Sequence, residues 1–331
     1  MKKWCLILEN ILNEEALKLV RVSPPPWEEL PVATTGIKPI PMVQLGGEFL
    51  IQTHLKGRYL TAVGGGGQAT DVIHTDAGTP RAWEKFKLWV DQTKQYYALQ
   101  TINGHFLTAN NAGGLITNTI QSTATAINGW GLFKLIPQSP FPSFAVQTLR
   151  GYFLTAVGGG GHNSGDTIHT DSTTVGEWEK FNLFKCGDCG SGITYGIQEW
   201  GPHAFNPWLT ALAGGNLPGP KAISTGGVIP FEISWTLLKQ NDGSYAFQTA
   251  SGGILTANEG GIAGGFRTDT ETDQIGNWQK FTLVDNSDCT YYIKTYSGKY
   301  LNATNAAPDS PIDTVLDISQ ASKWRFWVFS L

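Results

Sequence analysis

Short stretches of alternating apolar and polar residues recur along the chain from about residue 45 onward. In the first repeat, residues 49–53, 58–63 and 85–90 alternate, and residues 71–75 are rich in β-branched side chains. Glycine-rich segments separate these stretches, and no repeat shows the sustained period of an amphipathic helix. Alternation with a period of two is typical of half-buried strands, so the pattern predicts an all-β fold.

The same pattern returns six times. A string of the form Gln-Thr, glycine, aromatic residue and Leu-Thr-Ala recurs, in looser form in some copies, with a leucine near its end. These leucines are Leu60, Leu107, Leu154, Leu209, Leu255 and Leu301. Successive leucines are 47, 47, 55, 46 and 46 residues apart, which predicts six units of about four strands each.

A second aromatic motif, Trp-x-x-Phe, follows each string. Its tryptophans are Trp83, Trp130, Trp178, Trp278 and Trp324, while Glu232 stands at this position in the fourth unit. Alternating aromatic and leucine positions fill the interior of small barrels, so we interpret these aromatic residues as core.

Six four-stranded units fit two closed architectures, a six-bladed propeller or two barrels of three units each. The longest step between leucines falls between units three and four, where the chain reads Cys186-Gly-Asp-Cys189-Gly-Ser-Gly. Both features favour two barrels joined at this point. We therefore expect an N-terminal, proline-rich extension over residues 1–44 and two domains over residues 45–187 and 190–331.

The string Gly-[Arg/Lys]-Tyr-Leu-[Thr/Asn]-Ala at residues 57–62 and 298–303, with its later Trp-x-x-Phe strand, resembles the repeats of the fascin-like β-trefoil family. The resemblance covers residues 45–331 and implies two tandem β-trefoils. It also implies two functions, because fascin-like modules cross-link actin filaments and others are attached to carbohydrate-active enzymes.

The segment Asp-x-Ile-His-Thr-Asp occurs in units one and three, and unit five contains a partial copy. The candidate ligand-binding residues are Asp71, His74 and Asp76 in unit one, Asp166, His169 and Asp171 in unit three, and Arg267 and Asp269 in unit five. Residues two apart on a strand face the same side. An imidazole and a carboxylate on one side can bind the hydroxyl groups of a sugar, whereas the alternative is a structural turn cap.

Other motifs predict less. The runs Gly64–Gly67 and Gly158–Gly161 lack the Gly-Lys-[Ser/Thr] sequence of a phosphate loop, so we expect turns with positive φ.

Trp200 and Trp208 lie in the irregular fourth unit, and we take them as candidates for exposed, sugar-stacking rings. We expect free thiols or an incidental disulfide within the Cys186-x-x-Cys189 motif, and no metal site or cofactor.

Composition narrows the function. A net charge of −4 is not the basic field that nucleic-acid binding needs, and no catalytic motif is present. Low charge and many aromatic residues suit neutral glycans, so we predict a non-catalytic, lectin-like protein with several shallow sites. Actin cross-linking and a protein-interaction scaffold are the alternatives.

Residues 13–22 could form a helix. The first residues of the chain do not resemble a secretory signal, so we expect a cytoplasmic protein or one released without such a signal.

Overall fold

The computed structural model describes residues 41–201, 207–215, 223–226, 229–261, 266–269, 275–303 and 310–331, without the side chains of residues 223, 266–269, 310 and 311. The chain divides after residue 40, and all described residues belong to the second unit, 41–331. The helix expected over residues 13–22 lies outside the described residues.

The first three repeat units and the strand that precedes them contain strands β1 to β13. Their bounds are β1 Met42–Gln44, β2 Glu48–Thr53, β3 Tyr59–Ala62, β4 Ile73–Ala77, β5 Lys85–Asp91, β6 Tyr97–Gln100, β7 Phe106–Ala109, β8 Ile120–Ala124, β9 Phe133–Gln138, β10 Ser143–Thr148, β11 Phe153–Ala156, β12 Ile168–Ser172 and β13 Lys180–Cys186. Strand β1, which the sequence assigns to the N-terminal extension, pairs with β5.

The last three units contain strands β14 to β25 and one short helix, α1. Their bounds are β14 Thr194–Glu199, β15 Trp208–Ala211, β16 Ile223–Gly226, α1 Pro230–Ile233, β17 Ser234–Lys239, β18 Tyr245–Thr249, β19 Ile254–Ala257, β20 Phe266–Asp269, β21 Phe281–Asp285, β22 Tyr291–Thr295, β23 Tyr300–Ala303, β24 Ser310–Val315 and β25 Trp324–Ser330. Short 3₁₀ turns span Val63–Gly65, Ala82–Glu84, Asn110–Ala112, Gly129–Gly131, Val157–Gly159, Leu212–Gly215, Asn258–Gly260, Asn277–Gln279 and Ile318–Gln320.

The first and fourth strands of every unit form closed sheets. In the first sheet β2, β5, β6, β9, β10 and β13 pair in that order, and β13 pairs back onto β2. In the second sheet β14, β17, β18, β21, β22 and β25 pair in order, and β25 pairs back onto β14. We call these closed sheets, with their units, barrel 1 and barrel 2.

The second and third strands of each unit form a hairpin, which gives three hairpins per barrel. A six-stranded barrel with three such hairpins is a β-trefoil, and two of them in tandem confirm the predicted all-β fold. In a propeller each four-stranded sheet would remain within its own unit, whereas here the fourth strand of a unit pairs with the next unit. The domain limits at residues 45, 187 and 190 stay a prediction.

Two positions of the core recur in every unit. The leucines of the Leu-Thr-Ala strings are all buried, and so is one aromatic residue at the start of each fourth strand. These aromatic residues are Phe86, Phe133, Phe181, Trp235, Phe281 and Trp324. Strand register places Trp324 opposite Glu199 as Phe181 is placed opposite Thr53, so Trp324 occupies the phenylalanine position of its unit.

The glycine runs are packing contacts between units. All four glycines of the first run have positive φ, a conformation that residues with a Cβ rarely adopt. A Cβ on Gly66 would lie 2.8 Å from the Cβ of Thr101 in unit two. Gly113 and Gly160 approach threonines of the next unit in the same way. The expected positive-φ turns are therefore confirmed, and they allow each unit to pack closely on the next.

The threonine of the Ile-His-Thr-Asp segment closes the same contact. Thr75 N donates to His162 O at 2.8 Å, and Gly161 N donates to Thr75 O at 2.7 Å. Ser122 and Thr170 form equivalent bridges with the residues that follow the glycine turns of units one and two. The three units of barrel 1 are thus linked in a ring, and part of the repeated motif has a structural role.

The two barrels meet in an aromatic interface that includes the buried guanidinium of Arg325. The ring centroids of Phe184 and Trp327 are 4.4 Å apart, and these residues also pair across strands β13 and β25. Arg325 is buried there, and its Nη1 donates to the hydroxyl of Tyr59 at 2.9 Å. Burial lowers the pKa of Arg325, partly offset by the charge of nearby groups such as Asp288.

A disulfide between Cys186 and Cys289 also joins the barrels. This corrects the expectation for the Cys186-x-x-Cys189 motif, because Cys186 bonds a cysteine of unit six and Cys189 is a free, buried thiol. Burial raises the pKa of the Cys189 thiol to about 12, so this thiol is a poor nucleophile near neutral pH. The neighbouring Lys185 is buried as well, with its Nζ donating to Gly46 O.

The disulfide should contribute strongly to stability because it closes a loop with a sequence separation of 103. Replacing Cys186 and Cys289 with serine should lower the free energy of unfolding by about 4 kcal/mol. Urea unfolding of the full chain measures this difference. Cys189→Ser is the control, and an equal loss in that variant would contradict the role of the cross-link.

Gly66→Ala tests the packing role of the glycine turns. Gly243 also has positive φ, but its missing Cβ would meet nothing within 4 Å. Gly243→Ala should therefore cost only the backbone strain, about 1 kcal/mol, whereas Gly66→Ala should cost about 2 kcal/mol more because of the clash with Thr101. Equal losses in thermal or urea unfolding would argue against the contact between units.

Lys185 should make stability rise with pH. Burial lowers its pKa to about 8 from the ordinary 10.5, so above about pH 8 the unfolded chain binds more protons than the native one. The free energy of unfolding should then increase by about 1 kcal/mol between about pH 7.5 and about pH 9, relative to Lys185→Met. Burial raises the pKa of Cys189 and of nearby tyrosines such as Tyr195, which opposes this trend, and the comparison with Lys185→Met removes that shared contribution. Identical slopes in urea unfolding would contradict the prediction.

Candidate functional site

The Ile-His-Thr-Asp segment of unit one lies on β4. His74 pairs with Thr61 of β3, and its Nε2 lies 3.0 Å from Asp71 Oδ1. Burial alternates along the strand, with Thr75 buried, His74 half-buried and Asp76 exposed. His74 and Asp76 therefore lie on the exposed side, as their spacing predicts, but the carboxylate that contacts the imidazole is that of Asp71.

Unit three places its copy of the segment in the same way. His169 on β12 pairs with Thr155 of β11 and is half-buried, while Asp166 and Asp171 are exposed. The two histidines thus take equivalent positions in two units of barrel 1. Gln121 takes this position in unit two, where it pairs with Thr108.

In unit five the structure describes the backbone of the partial copy. Arg267 pairs with Thr256 and so takes the strand position that His74 takes in unit one. The side chains of Arg267 and Asp269 lie outside the described residues.

Asp71 and Asp166, from different units, line one cavity of about 310 Å³. Gly165 N donates to Asp71 Oδ1 at 3.1 Å, which joins the loops of units one and three at its rim. Unit two contributes Asn118. The lining residues are Thr70, Asp71, Val72, Ile73, Asn118, Thr119, Ile120, Gly165, Asp166, Thr167 and Ile168. Because each unit supplies the same segment, the cavity lies on the pseudo-threefold axis of barrel 1, and we call it the axial cavity.

Four of the five tryptophans of the Trp-x-x-Phe motifs are exposed, which corrects their interpretation as core, whereas Trp324 is buried as expected. Trp83, Trp130 and Trp178 have 49%, 48% and 47% of their surface exposed. Trp278 of unit five is exposed to a similar degree, and Phe231 is exposed near this position in unit four. The core role was thus correctly predicted for the phenylalanines of the motif and for Trp324, and wrongly for the other four tryptophans.

In units one and three, a buried glutamate fixes the orientation of the exposed tryptophan. The residue after Trp83 is Glu84, which is buried and accepts a hydrogen bond from Thr61 Oγ1 at 2.6 Å and one from Arg81 N at 2.6 Å. Glu179 accepts the equivalent bond from Thr155 at 2.7 Å. The anchored glutamate holds the short 3₁₀ turn in place and leaves the tryptophan in solvent.

In unit one, the turn that carries Trp83 and the strand position of His74 share one neighbour, Thr61. Thr61, which bonds Glu84, is also the cross-strand partner of His74, and paired residues on one sheet face lie about 5 Å apart at Cβ. Thr61 therefore links the turn of Trp83 to the strand of His74. The sequence contained a signal for this, because alternation counted back from Phe86 puts Glu84 inside and Trp83 outside.

The candidate sugar-stacking tryptophans of the fourth unit, Trp200 and Trp208, lie at the junction of the barrels. Trp208 is only 8% exposed and packs against Trp327 and Phe329, so its expected exposure is wrong. Trp200 is 36% exposed, but the Arg325 guanidinium lies 3.4 Å from its ring centroid. That cation covers a face of the ring on which a sugar would stack.

Within the described residues, no group of three or more His, Cys, Asp or Glu side chains is placed to hold a metal ion. In the same part of the chain, no helix has the length and apolar character needed to cross a membrane.

No protein-family model matches the chain, and no curated protein sequence matches it. Solved structures do resemble it at low identity. A mosquitocidal holotoxin is 13% identical with a TM-score of 0.38, and the match covers 87% of this chain but only 35% of the holotoxin. The Rhizoctonia solani agglutinin is 14% identical with a TM-score of 0.36, over 42% of this chain and 94% of the agglutinin.

An enzyme also appears among the similar structures. The GlcNAcα1-4Gal-releasing endo-β-galactosidase from Clostridium perfringens is 11% identical with a TM-score of 0.33, over 86% of this chain and 72% of the enzyme. A toxin, an agglutinin and an enzyme thus share a distant likeness to this chain, which by itself decides neither ligand nor activity.

Proposed function

We propose that this chain is a non-catalytic, carbohydrate-binding protein with shallow, repeated sites on barrel 1. The observation that carries the proposal is the half-exposed tryptophan at the same position of all three units, at Trp83, Trp130 and Trp178. A large ring in solvent contributes little to the core, so its repetition favours a role in binding. An indole offers an apolar face and a polar edge, a combination that suits a sugar ring.

Polar groups in the same units as the tryptophans suit sugar hydroxyls. In unit one, the His74 imidazole can donate or accept one hydrogen bond, and the exposed Asp76 carboxylate accepts from two hydroxyls. Asp71 orients the imidazole through the 3.0 Å contact with Nε2. His169 and Asp171 take the equivalent strand positions in unit three, which also carries Trp178, so units one and three carry the more complete sites.

Repetition of weak sites supports multivalent binding. The sites are carried by a closed barrel whose units are bridged to one another, so their spacing is rigid. Linked sites raise the overall affinity when their spacing matches that of the target, without any new contact at a single site. The resemblance to fascin-like modules of carbohydrate-active enzymes agrees with this proposal.

No observation in the described part of the chain favours actin cross-linking or a scaffold over glycan binding. The disulfide between Cys186 and Cys289 favours release from the cell over a cytoplasmic location, because disulfides persist mainly in oxidising compartments. We therefore include release into such a compartment in the proposal.

A glycan array on the labelled full-length chain tests this function, with the variant Trp83→Ala/Trp178→Ala beside it. We expect saturable binding to a related group of neutral glycans, and a loss of about tenfold or more in the variant, because two stacking platforms and their avidity disappear. The unfolding midpoint should change little, since both rings are half-exposed.

Tyr296→Ala is the matched control, because Tyr296 is an exposed aromatic residue on a turn of barrel 2. It should bind glycans as the unaltered chain does. A blank array with folded protein, or equal losses in the control and the tryptophan variant, would contradict the proposed sites.

A further inference from the structure

The axial cavity of barrel 1 is built from three equivalent segments that differ in one feature. Thr119 Oγ1 of unit two donates to the carbonyl of Ile168 in unit three. Thr167 Oγ1 of unit three donates to the carbonyl of Ile73 in unit one. Threefold repetition would place a third hydroxyl at position 72, but Val72 stands there.

The missing hydroxyl leaves a gap in the ring of hydrogen bonds. By the cyclic order of the other two bonds, a threonine at position 72 would donate to the carbonyl of Ile120. Val72 cannot donate, although it is as buried as Thr119 and Thr167. The Ile120 carbonyl thus lacks the donor that its two counterparts have, and Ile120 lines the axial cavity.

The remaining polar groups of the cavity are also mainly acceptors. Asp71 and Asp166 bring carboxylates, which only accept, and Asn118 brings an amide that can accept or donate. His74 and Gly165 N both contact Asp71 Oδ1, which holds that carboxylate at the rim. The lining contains no lysine, arginine or histidine. A bound molecule should therefore offer hydrogen-bond donors and a positive charge.

The size of the cavity limits the ligand. A volume of about 310 Å³ is at the lower end of ordinary small-molecule pockets, which begin near 300 Å³. Ile73, Ile120 and Ile168 line both this cavity and the barrel interior, so they form its floor. One sugar-sized molecule can enter from the hairpin end, but a long oligosaccharide cannot be enclosed.

From these features we infer that the axial cavity binds a small organic cation rich in N–H and O–H donors, of the class of protonated amino sugars. The ammonium group lies between Asp71 and Asp166, and a donor of the ligand reaches the Ile120 carbonyl that Val72 leaves open. Asp71 belongs to this site and also contacts His74 of the proposed glycan site, but the cavity is lined by none of the exposed tryptophans and the inference does not depend on the proposed function.

Calorimetric titration of the full chain with glucosamine tests the inference, with glucose as the neutral probe of the same shape. We expect saturable glucosamine binding at about tenfold or more higher affinity than glucose, because the charge-assisted hydrogen bonds require the ammonium group. Equal affinities, or no saturable binding of glucosamine, would overturn the inference.

Two variants locate the site. Asp166 is exposed, so Asp166→Asn should fold normally while weakening glucosamine binding by about tenfold. Val72→Thr supplies the missing hydroxyl at nearly constant volume, and it should weaken binding by occupying the Ile120 carbonyl. Unchanged binding in both folded variants would contradict the axial site, as would tighter binding of Ca²⁺ than of glucosamine.

Trp83→Ala/Trp178→Ala separates this site from the sites of the proposed function. Glucosamine binding should be unchanged in that variant, and amide shifts in NMR spectra should concentrate at Asn118, Thr119 and Gly165. Loss of glucosamine binding with the tryptophans would overturn the inference, whereas loss of glycan binding alone would leave it intact.

Discussion

The contact between each glycine turn and the following unit is the constraint on which barrel 1 depends. A four-stranded unit cannot bury its own apolar face, so it must pack on its neighbours. Gly66 approaches Thr101 too closely for any side chain, and the bridge between Thr75 and His162 closes the ring from unit three back to unit one. Positive φ and close approach are needed at the same positions, and glycine alone meets both requirements.

Ring closure then determines where the remaining side chains point. The loops after the glycine turns converge on the axis and bring Asp71, Asn118 and Asp166 around one cavity. The short turns before the fourth strands face outward, and buried Glu84 and Glu179 hold Trp83 and Trp178 in solvent. Barrel 1 therefore carries the axial cavity at its axis and the exposed tryptophans on its outer side, and the two kinds of surface differ in geometry and chemistry.

Two tryptophans of the irregular fourth unit lie at the junction of the barrels. Trp208 packs on Trp327, and Trp200 lies against the guanidinium of Arg325. These side chains serve the contact between the barrels, which the disulfide of Cys186 and Cys289 also ties together. Burial of Arg325 is tolerated because the Tyr59 hydroxyl accepts its hydrogen bond and aromatic faces surround it.

Periodicity and repeats by themselves determined the all-β class, the six units and the buried leucines. They also determined that His74 and Asp76 lie on the same, exposed side of their strand. Such features are local, because a strand alternates and a turn requires glycine wherever the unit stands. Tertiary structure alone decided that Asp71 and Asp166 share a cavity, that Cys186 bonds Cys289, and that Trp208 is buried. Each of these depends on which distant units come into contact, and spacing along one chain does not encode that. The exposed Trp83 lies between the two cases, since alternation from Phe86 indicated it and the buried Glu84 explains it.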